Sequence, residues 1–281
     1  MDPRKSEKIA FFILRFCGLI VVLPLVMILV FLIVKGLPGI SLEFLMHGPK
    51  MGLREGGIFP AIVGTVLLVA LAIIIALPLG LACAIYMNEY ARDNWFTRLI
   101  RLSIVNLAGV PSVVFGLFGL GLFVIFLKFG ASVLSGAITL AFLILPVVIT
   151  ASEEALLSVP QSFREAALAL GSTRLQTIKT IVLPNALPGV LTGAILGISR
   201  AAGETAPILF TVAAFYLPHL PRSVFDQVMA LPYHLYIIST QVPGVPEEVK
   251  YGTALVLVVL VFSLNLAAII VRNRIRKRRA W

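Results

Sequence analysis

The sequence predicts an all-α integral membrane protein with six transmembrane helices. Hydrophobic residues make up 59% of its 281 residues and charged residues only 13%, whereas about a quarter of the residues of a soluble domain are charged. Apolar runs long enough to cross a bilayer core of about 30 Å recur along the chain. The basic residues behind the net charge of +10 lie at the edges of these runs. This placement indicates membrane orientation and argues against nucleic acid as a partner.

The whole chain, residues 1–281, forms one predicted membrane domain. A cleavage site of small residues is missing after the first apolar run, so we interpret this run as a membrane anchor rather than a signal peptide. Placing the larger share of Lys and Arg inside, including Arg4, Lys5, Lys8 and the basic cluster from Arg272 to Arg279, puts both termini in the cytoplasm. The predicted spans cover residues 11–34, 60–87, 103–127, 133–151, 188–215 and 252–271 approximately.

Glycine and proline residues predict irregular backbone in the second and third spans and in the loop before them. The loop before the second span, residues 35–59, is expected to re-enter the membrane, and Pro78 predicts a kink within that span. The third span concentrates Gly109, Pro111 and Gly116, followed by Gly119 and Gly121. Two interpretations stay open for it, close helix packing or the lining of a transport pathway.

The residues that usually carry catalysis or bind metals are sparse. His47, His219 and His234 fall in predicted outer loops without a second ligand at metal-binding spacing, so we expect solvated side chains and no metal site. We find neither a nucleophile–base pair nor an HExxH motif, so no catalytic residue is predicted. A phosphate-cradling GxxxxGK[ST] loop is also missing, so this chain binds no cofactor and any ATP must be bound by another chain.

Residues 153–187 form a polar segment between the fourth and fifth spans. Ser162 and Glu165 have the spacing of a capping box, which predicts a helix start, and Gly171 suits the left-handed residue that ends a helix. A second short helix is predicted from Ser172 or Thr173, with Gln176 behind it, to just before Pro184. The segment is therefore predicted to be two short helices joined at a glycine.

The fifth span carries two charges, Arg200 and Glu204, in an apolar helix. Gly189, Gly193, Gly197 and Ala201 recur every four residues and predict a smooth ridge for close packing. Both charges lie beside this ridge, so we expect them to face the bundle interior, with Arg200 near the bilayer middle.

Two interpretations of Arg200 and Glu204 stay open. A structural ion pair is the simpler one, although a buried pair is often replaceable by apolar residues. In the other, the Arg200 guanidinium binds an oxyanion in transit, and Glu204 accepts a hydrogen bond from a protonated oxyanion. The second role favours phosphate, which keeps a proton at neutral pH, over sulfate.

The polar segment resembles the EAA loop of ABC importer permeases. The matching pattern is Glu165-Ala166-Ala167, then Gly171, then Ile181, then Leu183-Pro184. The resemblance implies the type I, MetI-like importer fold and assigns Glu165, Ala166, Ala167 and Gly171 to contact and hinge positions against the ATPase subunit. We call residues 153–187 the coupling segment.

Four further stretches resemble the phosphate importer permeases: ISRAAGETAPILFT, GGIFPAIVGT, NLAGVPSVVFGLFGL and LPYHLY. The resemblance implies a prokaryotic inner-membrane subunit that works by alternating access. It implies a related second permease in a heterodimer, two ATPase subunits that bind ATP and Mg, and an extracytoplasmic phosphate-binding protein, all surrounded by membrane lipid. A molybdate or sulfate permease of the same fold, a passive channel and an intramembrane enzyme remain as alternatives.

Overall fold

The computed structural model describes residues 3–277, apart from the side chains of residues 3–6 and 8–10. The orientation signal expected from Arg4, Lys5 and Lys8 therefore involves side chains outside the described residues, and Arg278 and Arg279 also lie outside them. Helices account for most of the described chain.

Twelve α-helices follow one another along the described chain, and the longest connection joins the tenth to the eleventh. They are α1 (Pro3–Gly36), α2 (Leu42–Met46), α3 (Phe59–Ile85), α4 (Trp95–Ala108), α5 (Ser112–Gly119), α6 (Val133–Leu157), α7 (Gln161–Ala169), α8 (Arg174–Thr177), α9 (Leu183–Gly203), α10 (Ala206–Thr211), α11 (Leu231–Thr240) and α12 (Glu247–Lys277). Three wider π-helical turns extend α3 and α5 and join α8 to α9; they are Tyr86–Tyr90, Leu120–Phe126 and Ile178–Val182. Single 3-10 turns occupy Leu37–Gly39 and Met51–Leu53.

Five helical stretches in the described part of the chain are long and apolar enough to cross a membrane. They are Phe11–Gly39, Phe59–Tyr90, Val133–Leu157, Arg174–Gly203 and Glu247–Lys277. A sixth is reached if α4 and α5 together count as one broken span.

The third predicted span, residues 103–127, is not one straight helix. Its two halves, α4 and α5 with its π-turn, meet at a bend of 103°. Pro111 adopts φ −58 and ψ 141 between them. Proline has no N–H and disfavours a helical conformation in the preceding residue, so Pro111 favours a break at this point of the span.

The fifth predicted span also differs from the prediction of a helix over 188–215. Helix α9 ends at Gly203, Glu204 adopts an extended conformation with ψ 134, and the chain resumes as the short α10. A continuous helix would need a hydrogen bond from residue 207 to the Gly203 carbonyl, and Pro207 has no N–H to donate. Glu204 therefore caps a helix end instead of lying within a helix.

The start of the fifth span was also wrong in the prediction. The second short helix does not end before Pro184, because α8, the π-turn Ile178–Val182 and α9 form one continuous helical stretch. Pro184 is the second residue of α9 and directly follows the wider π-turn, which accommodates its missing N–H within the continuous stretch. One helical rod therefore runs from the coupling segment to Gly203.

Helix α6 is the centre of the bundle and packs against both α3 and α9. The predicted ridge on α9 is confirmed: a Cβ added at Gly189 would lie 2.5 Å from Ala155 Cβ, and one at Gly193 would lie 2.8 Å from Ala151 Cβ. Gly80 of α3 approaches α6 as closely, with Val148 Cγ1 at 2.7 Å from the added Cβ. Small residues thus allow three helices to share one close-packed core.

The glycine-rich α5 packs against the short α10. A Cβ at Gly116 would lie 2.8 Å from Phe210 Cδ2 and 3.0 Å from the Ala206 carbonyl oxygen. An added Cβ at Gly121, by contrast, meets nothing within 4 Å. Packing therefore explains Gly116, and both broken spans meet at this contact.

Helix α1 lies at the edge of the bundle, and its apolar side chains are mostly exposed. It contacts α12 near its last residue, where a Cβ at Gly36 would lie 2.6 Å from the Tyr251 carbonyl oxygen. The loop that follows, for which re-entry into the membrane is predicted, contains the short helix α2. It forms a hairpin in which β1 (Pro49–Lys50) pairs with β2 (Glu55–Gly56).

His234 corrects the expectation that all three histidines are solvated. It lies in α11, outside the candidate spans, and is only 4% exposed. Its Nδ1 has no hydrogen-bond partner among the described residues. Burial lowers the pKa of His234 from its ordinary 6.5 to about 4, because the charged ring would lose its hydration.

This pKa predicts a loss of stability in acid. Between pH 6.5 and about 4 the unfolded chain binds a proton at His234 that the folded chain does not, so unfolding becomes more favourable as the pH falls. Above that window His234 adds no pH dependence. We expect His234→Gln to reduce the fall in thermal unfolding midpoint between pH 7 and pH 4.5. The exposed His219, changed to Gln, is the matched control and should leave the fall unchanged; an equal fall in all three proteins would contradict the prediction.

Candidate functional site

Arg200 and Glu204 form an ion pair at the end of α9. Arg200 Nε lies 3.8 Å from Glu204 Oε1, and the two side chains are 32% and 18% exposed. This distance is longer than a hydrogen bond. Among the side chains that the structure describes, none accepts a hydrogen bond from the Arg200 guanidinium. The pair therefore leaves the donors of Arg200 available to a further oxygen ligand.

The two charges lie on the edge of the bundle and are not enclosed by this chain. Leu196, one helical turn before Arg200, is 52% exposed, and Gly203 is exposed as well. The expectation that the charges face the bundle interior therefore holds only in part. A site built on this face needs another surface to cover it.

Glu204 reaches inward toward α3 and α6. It lines a void of about 10 Å³ together with Thr65, Leu68 and Val69 of α3 and Leu140 of α6. Thr65 belongs to the buried polar framework here, because its hydroxyl oxygen accepts a hydrogen bond from the Leu231 amide at 2.8 Å. Glu204 thus lies between the charged face of α9 and the packed residues of α3 and α6.

The coupling segment folds much as local capping rules predict. Gly171 adopts φ 84, and the amides of Gly171 and Ser172 donate to the carbonyls of Leu168 and Ala167 at 3.0 and 3.1 Å. This is the double hydrogen bond of a left-handed helix end. Thr173 and Gln176 form a complete capping box at the start of α8.

The predicted capping box of Ser162 and Glu165 is wrong. Helix α7 begins at Gln161 after Pro160, and no side chain caps it. Pro160, with φ fixed at −57, already starts the helix, so Ser162 lies inside the first turn rather than at the cap position.

The four predicted contact positions do not share one environment. Glu165, Ala166 and Gly171 are exposed, whereas Ala167 is 4% exposed and packs into this chain. The free surface of α7 is therefore the one that carries Glu165 and Ala166.

Sequence reasoning missed the contact that holds the coupling segment in place. Arg164 Nε and Nη2 donate to Glu89 Oε1 at 3.2 and 3.0 Å. Its Nη1 also donates to the Val159 carbonyl at 2.6 Å and Nη2 to the Leu156 carbonyl at 2.8 Å. The side chains of Arg164 and Glu89 are 11% and 8% exposed. Because Arg164 and Glu89 are 75 positions apart, no local sequence pattern links them. The only indication in the sequence was a carboxylate at the end of an apolar helix.

Two further ion pairs lie at this end of the bundle. Arg101 of α4 pairs with Glu153 at the end of α6. Asp93 and Arg98 form an exposed pair at 3.2 Å, and the hydrogen bond from Arg98 holds the pKa of the Asp93 carboxyl below its ordinary value. Within residues 3–277, no group of three or more His, Cys, Asp or Glu side chains is arranged to hold a metal ion.

Comparison with known proteins identifies the class. Residues 76–281 match the model of the family described as the binding-protein-dependent transport system inner membrane component. The chain belongs to this family of ABC transporter permeases, and it is a multi-pass membrane protein.

Similar curated proteins cover nearly the whole chain. The probable ABC transporter permease protein YqgI of Bacillus subtilis (strain 168) is 33% identical, with 95% of each chain covered. The phosphate transport system permease protein PstA 1 of Mycobacterium tuberculosis (strain CDC 1551 / Oshkosh) is 36% identical, with 98% of this chain and 91% of the relative covered.

The solved structures confirm the predicted fold class. A chain of the crystal structure of a bacterial ABC transporter involved in the import of the acidic polysaccharide alginate matches with a TM-score of 0.66. Its sequence is 14% identical and 96% of each chain is covered, so the likeness concerns the fold alone.

Gly171 gives a test of the coupling segment. A Cβ at this position meets nothing within 4 Å, so Gly171→Ala introduces only the backbone cost of a left-handed alanine, about 1–2 kcal/mol. We expect trypsin to cleave after Arg174 about five- to thirtyfold faster in this variant, because the helix end opens more often. Gly121 also lies in open space but has no positive φ, so trypsin should cleave the Gly121→Ala variant at the same rate as the unaltered chain. Equal rates for Gly171→Ala and the unaltered chain would refute the proposed role of this cap.

Proposed function

We propose that this chain is the permease subunit of an ATP-driven importer of inorganic phosphate. The observation that carries the proposal is a single helical stretch, Arg174–Gly203, which has the coupling segment at one end and the Arg200–Glu204 pair at the other. The identity of 36% to a phosphate transport system permease supports phosphate as the substrate.

Arg200 is suited to bind an oxyanion. Its guanidinium is permanently charged and presents a planar set of donors that matches two oxygens of phosphate. Because Arg200 lies in the last turn of α9, the negative end of the helix dipole compensates part of its charge when the site is empty. The ion pair with Glu204 holds the guanidinium in place without using its hydrogen bonds.

Glu204 would provide selectivity. Phosphate keeps a proton at neutral pH and can donate a hydrogen bond to a carboxylate, whereas sulfate offers only acceptors. A carboxylate beside Arg200 therefore accepts the protonated anion and repels the fully ionised one.

The exposed face around Arg200 supports a second permease as the partner. A heterodimer of two related permeases would cover this face and bring a second cation to the anion. In alternating access, this central site opens first to the outside and then to the cytoplasm, where both termini lie. An extracytoplasmic phosphate-binding protein would deliver the substrate at the outer end.

The coupling segment would transmit the free energy of ATP hydrolysis from the ATPase subunits to this chain. The exposed residues Glu165 and Ala166 would contact the ATPase subunits, Ala167 would support them from beneath, and Gly171 would set the angle between α7 and α8. ATP and Mg would be bound by the ATPase subunits.

Removing the charge of Arg200 tests the anion site. Hydrogen bonds to charged groups contribute about 1.5–3 kcal/mol, so Arg200→Gln is expected to lower ATP-dependent phosphate uptake by about ten- to hundredfold. Uptake of labelled phosphate would be measured in proteoliposomes that contain the full complex, after assembly is confirmed. Arg98→Gln, an exposed arginine at the surface, is the matched control. Undiminished uptake by the Arg200 variant would make this arginine a structural charge.

Glu204→Gln tests the selectivity. We expect phosphate uptake to fall and competition by sulfate or molybdate to increase, because the amide no longer repels a fully ionised anion. The measurement is the concentration of each anion that halves phosphate uptake. Normal phosphate uptake without any gain in sulfate competition would refute the selectivity role, and stronger competition by molybdate in the unaltered complex would reassign the substrate.

A further inference from the structure

The end of α3 contacts both helices of the coupling segment. The π-turn Tyr86–Tyr90 extends α3 beyond its last α-helical residue, and its final two residues are Glu89 and Tyr90. Glu89 binds Arg164 of α7, and the guanidinium of Arg174, the first residue of α8, lies 5.2 Å from the centre of the Tyr90 ring. We call these two contacts the α3 clamp.

We infer that the α3 clamp transmits movement of the coupling segment to α3, so that Glu89 and Tyr90 are positioning residues for transport. The inference rests on the proposed function for its link to phosphate. The transmission of movement through the α3 clamp requires only that this chain is a permease driven by an ATPase.

The Glu89 contact is buried and is held by several hydrogen bonds. Arg164 binds one carboxylate oxygen twice and two backbone carbonyls at the end of α6, and its side chain is 11% exposed. A guanidinium fixed by four hydrogen bonds cannot move without breaking several of them at once. When α7 moves, Glu89 must therefore move with it.

The Tyr90 contact links α8, the second helix of the coupling segment, to the end of α3. The Arg174 guanidinium lies within the distance at which a cation is attracted to the face of an aromatic ring. Glu89 and Tyr90 are adjacent, so α7 and α8 are both fixed to a single turn of α3. A relative rotation of α7 and α8 about Gly171 would strain this turn.

Helix α3 continues from the clamp to the surroundings of the charge pair. Thr65, Leu68 and Val69 line the void beside Glu204. At about 1.5 Å per residue, Leu68 lies about 30 Å along the helix from Glu89. Helix α3 is thus a second connection between the coupling segment and the candidate anion site, separate from the continuous α8–α9 rod. The rod contains the π-turn Ile178–Val182, and α3 contains Pro78 and ends in the π-turn Tyr86–Tyr90, so both connections include a departure from regular α-helical geometry.

A distance measurement tests the inference without phosphate. Spin labels would be attached at Ile74 of α3 and Phe262 of α12, which are 63% and 67% exposed. Cys17 and Cys83 would first be replaced by alanine in the full complex. We expect ATP to change the distance between the labels, and Glu89→Gln to reduce that change to about half or less.

Tyr90 supplies the second variant, because its ring is 42% exposed and its replacement should not prevent assembly. Tyr90→Leu should reduce the ATP-dependent change, whereas Tyr90→Phe, which keeps the ring, should retain it. Asp93→Asn, which breaks the exposed pair with Arg98, is the matched control for Glu89→Gln and should also retain it.

The outcomes separate the clamp from the substrate assignment. A full distance change in both Glu89→Gln and Tyr90→Leu, or no change in the unaltered complex, would overturn the inference. If the complex with Glu89→Gln does not assemble, the distance changes in Tyr90→Leu and Tyr90→Phe are compared instead, and this comparison tests the inference. Lack of phosphate uptake by a complex that shows the clamp-dependent change would refute phosphate as the substrate and leave the clamp supported.

Discussion

Close contact between α6 and the glycine face of α9 is the constraint on which the rest of the structure depends. Backbone approach at Gly189 and Gly193 leaves no room for side chains, so α9 cannot rotate about its axis without separating from α6. On another face, Ser199 donates a hydrogen bond to Asn265 of α12 at 2.8 Å. Arg200 lies seven residues beyond Gly193, on nearly the same side of α9. The contact with α6 is already wider at Gly197, where an added Cβ would lie 3.4 Å from Ile144 Cδ1. The position of the charge is therefore set by apolar packing elsewhere on the same helix.

The ends of α9 depend on prolines in opposite ways. Pro184 is accommodated at the beginning because it directly follows the π-turn, and the helix continues from the coupling segment. At the other end, α9 stops before Pro207, which cannot supply the N–H that the Gly203 carbonyl would need in a longer helix. The first proline keeps the coupling segment continuous with the rod, and the second exposes a helix end beside Glu204. Both features serve the proposed transport, one for movement and the other for the site.

Local rules predicted the features that depend on a few neighbouring residues. The left-handed Gly171, the Thr173 cap and the ridge from Gly189 to Ala201 follow from backbone sterics and helical periodicity, and all are confirmed. The extent of the fifth helix was wrong because a proline at 188 is tolerated within α9 and one at 207 is not, and that difference depends on surrounding packing. The burial of His234 and the contact between Glu89 and Arg164 were missed because each depends on residues distant in sequence.

The exposed charged face of α9 indicates which surroundings suit it. An arginine in a membrane helix is costly, and such residues face the bundle interior or a water-filled cavity. In this chain Arg200 is 32% exposed, which would be unfavourable against lipid. The neighbouring Leu196 is also open, and the broken spans α5 and α10 pack against each other instead of covering it. A surface that combines a partly exposed ion pair with open apolar residues suits neither lipid nor water, and this supports the second permease that we propose as the partner.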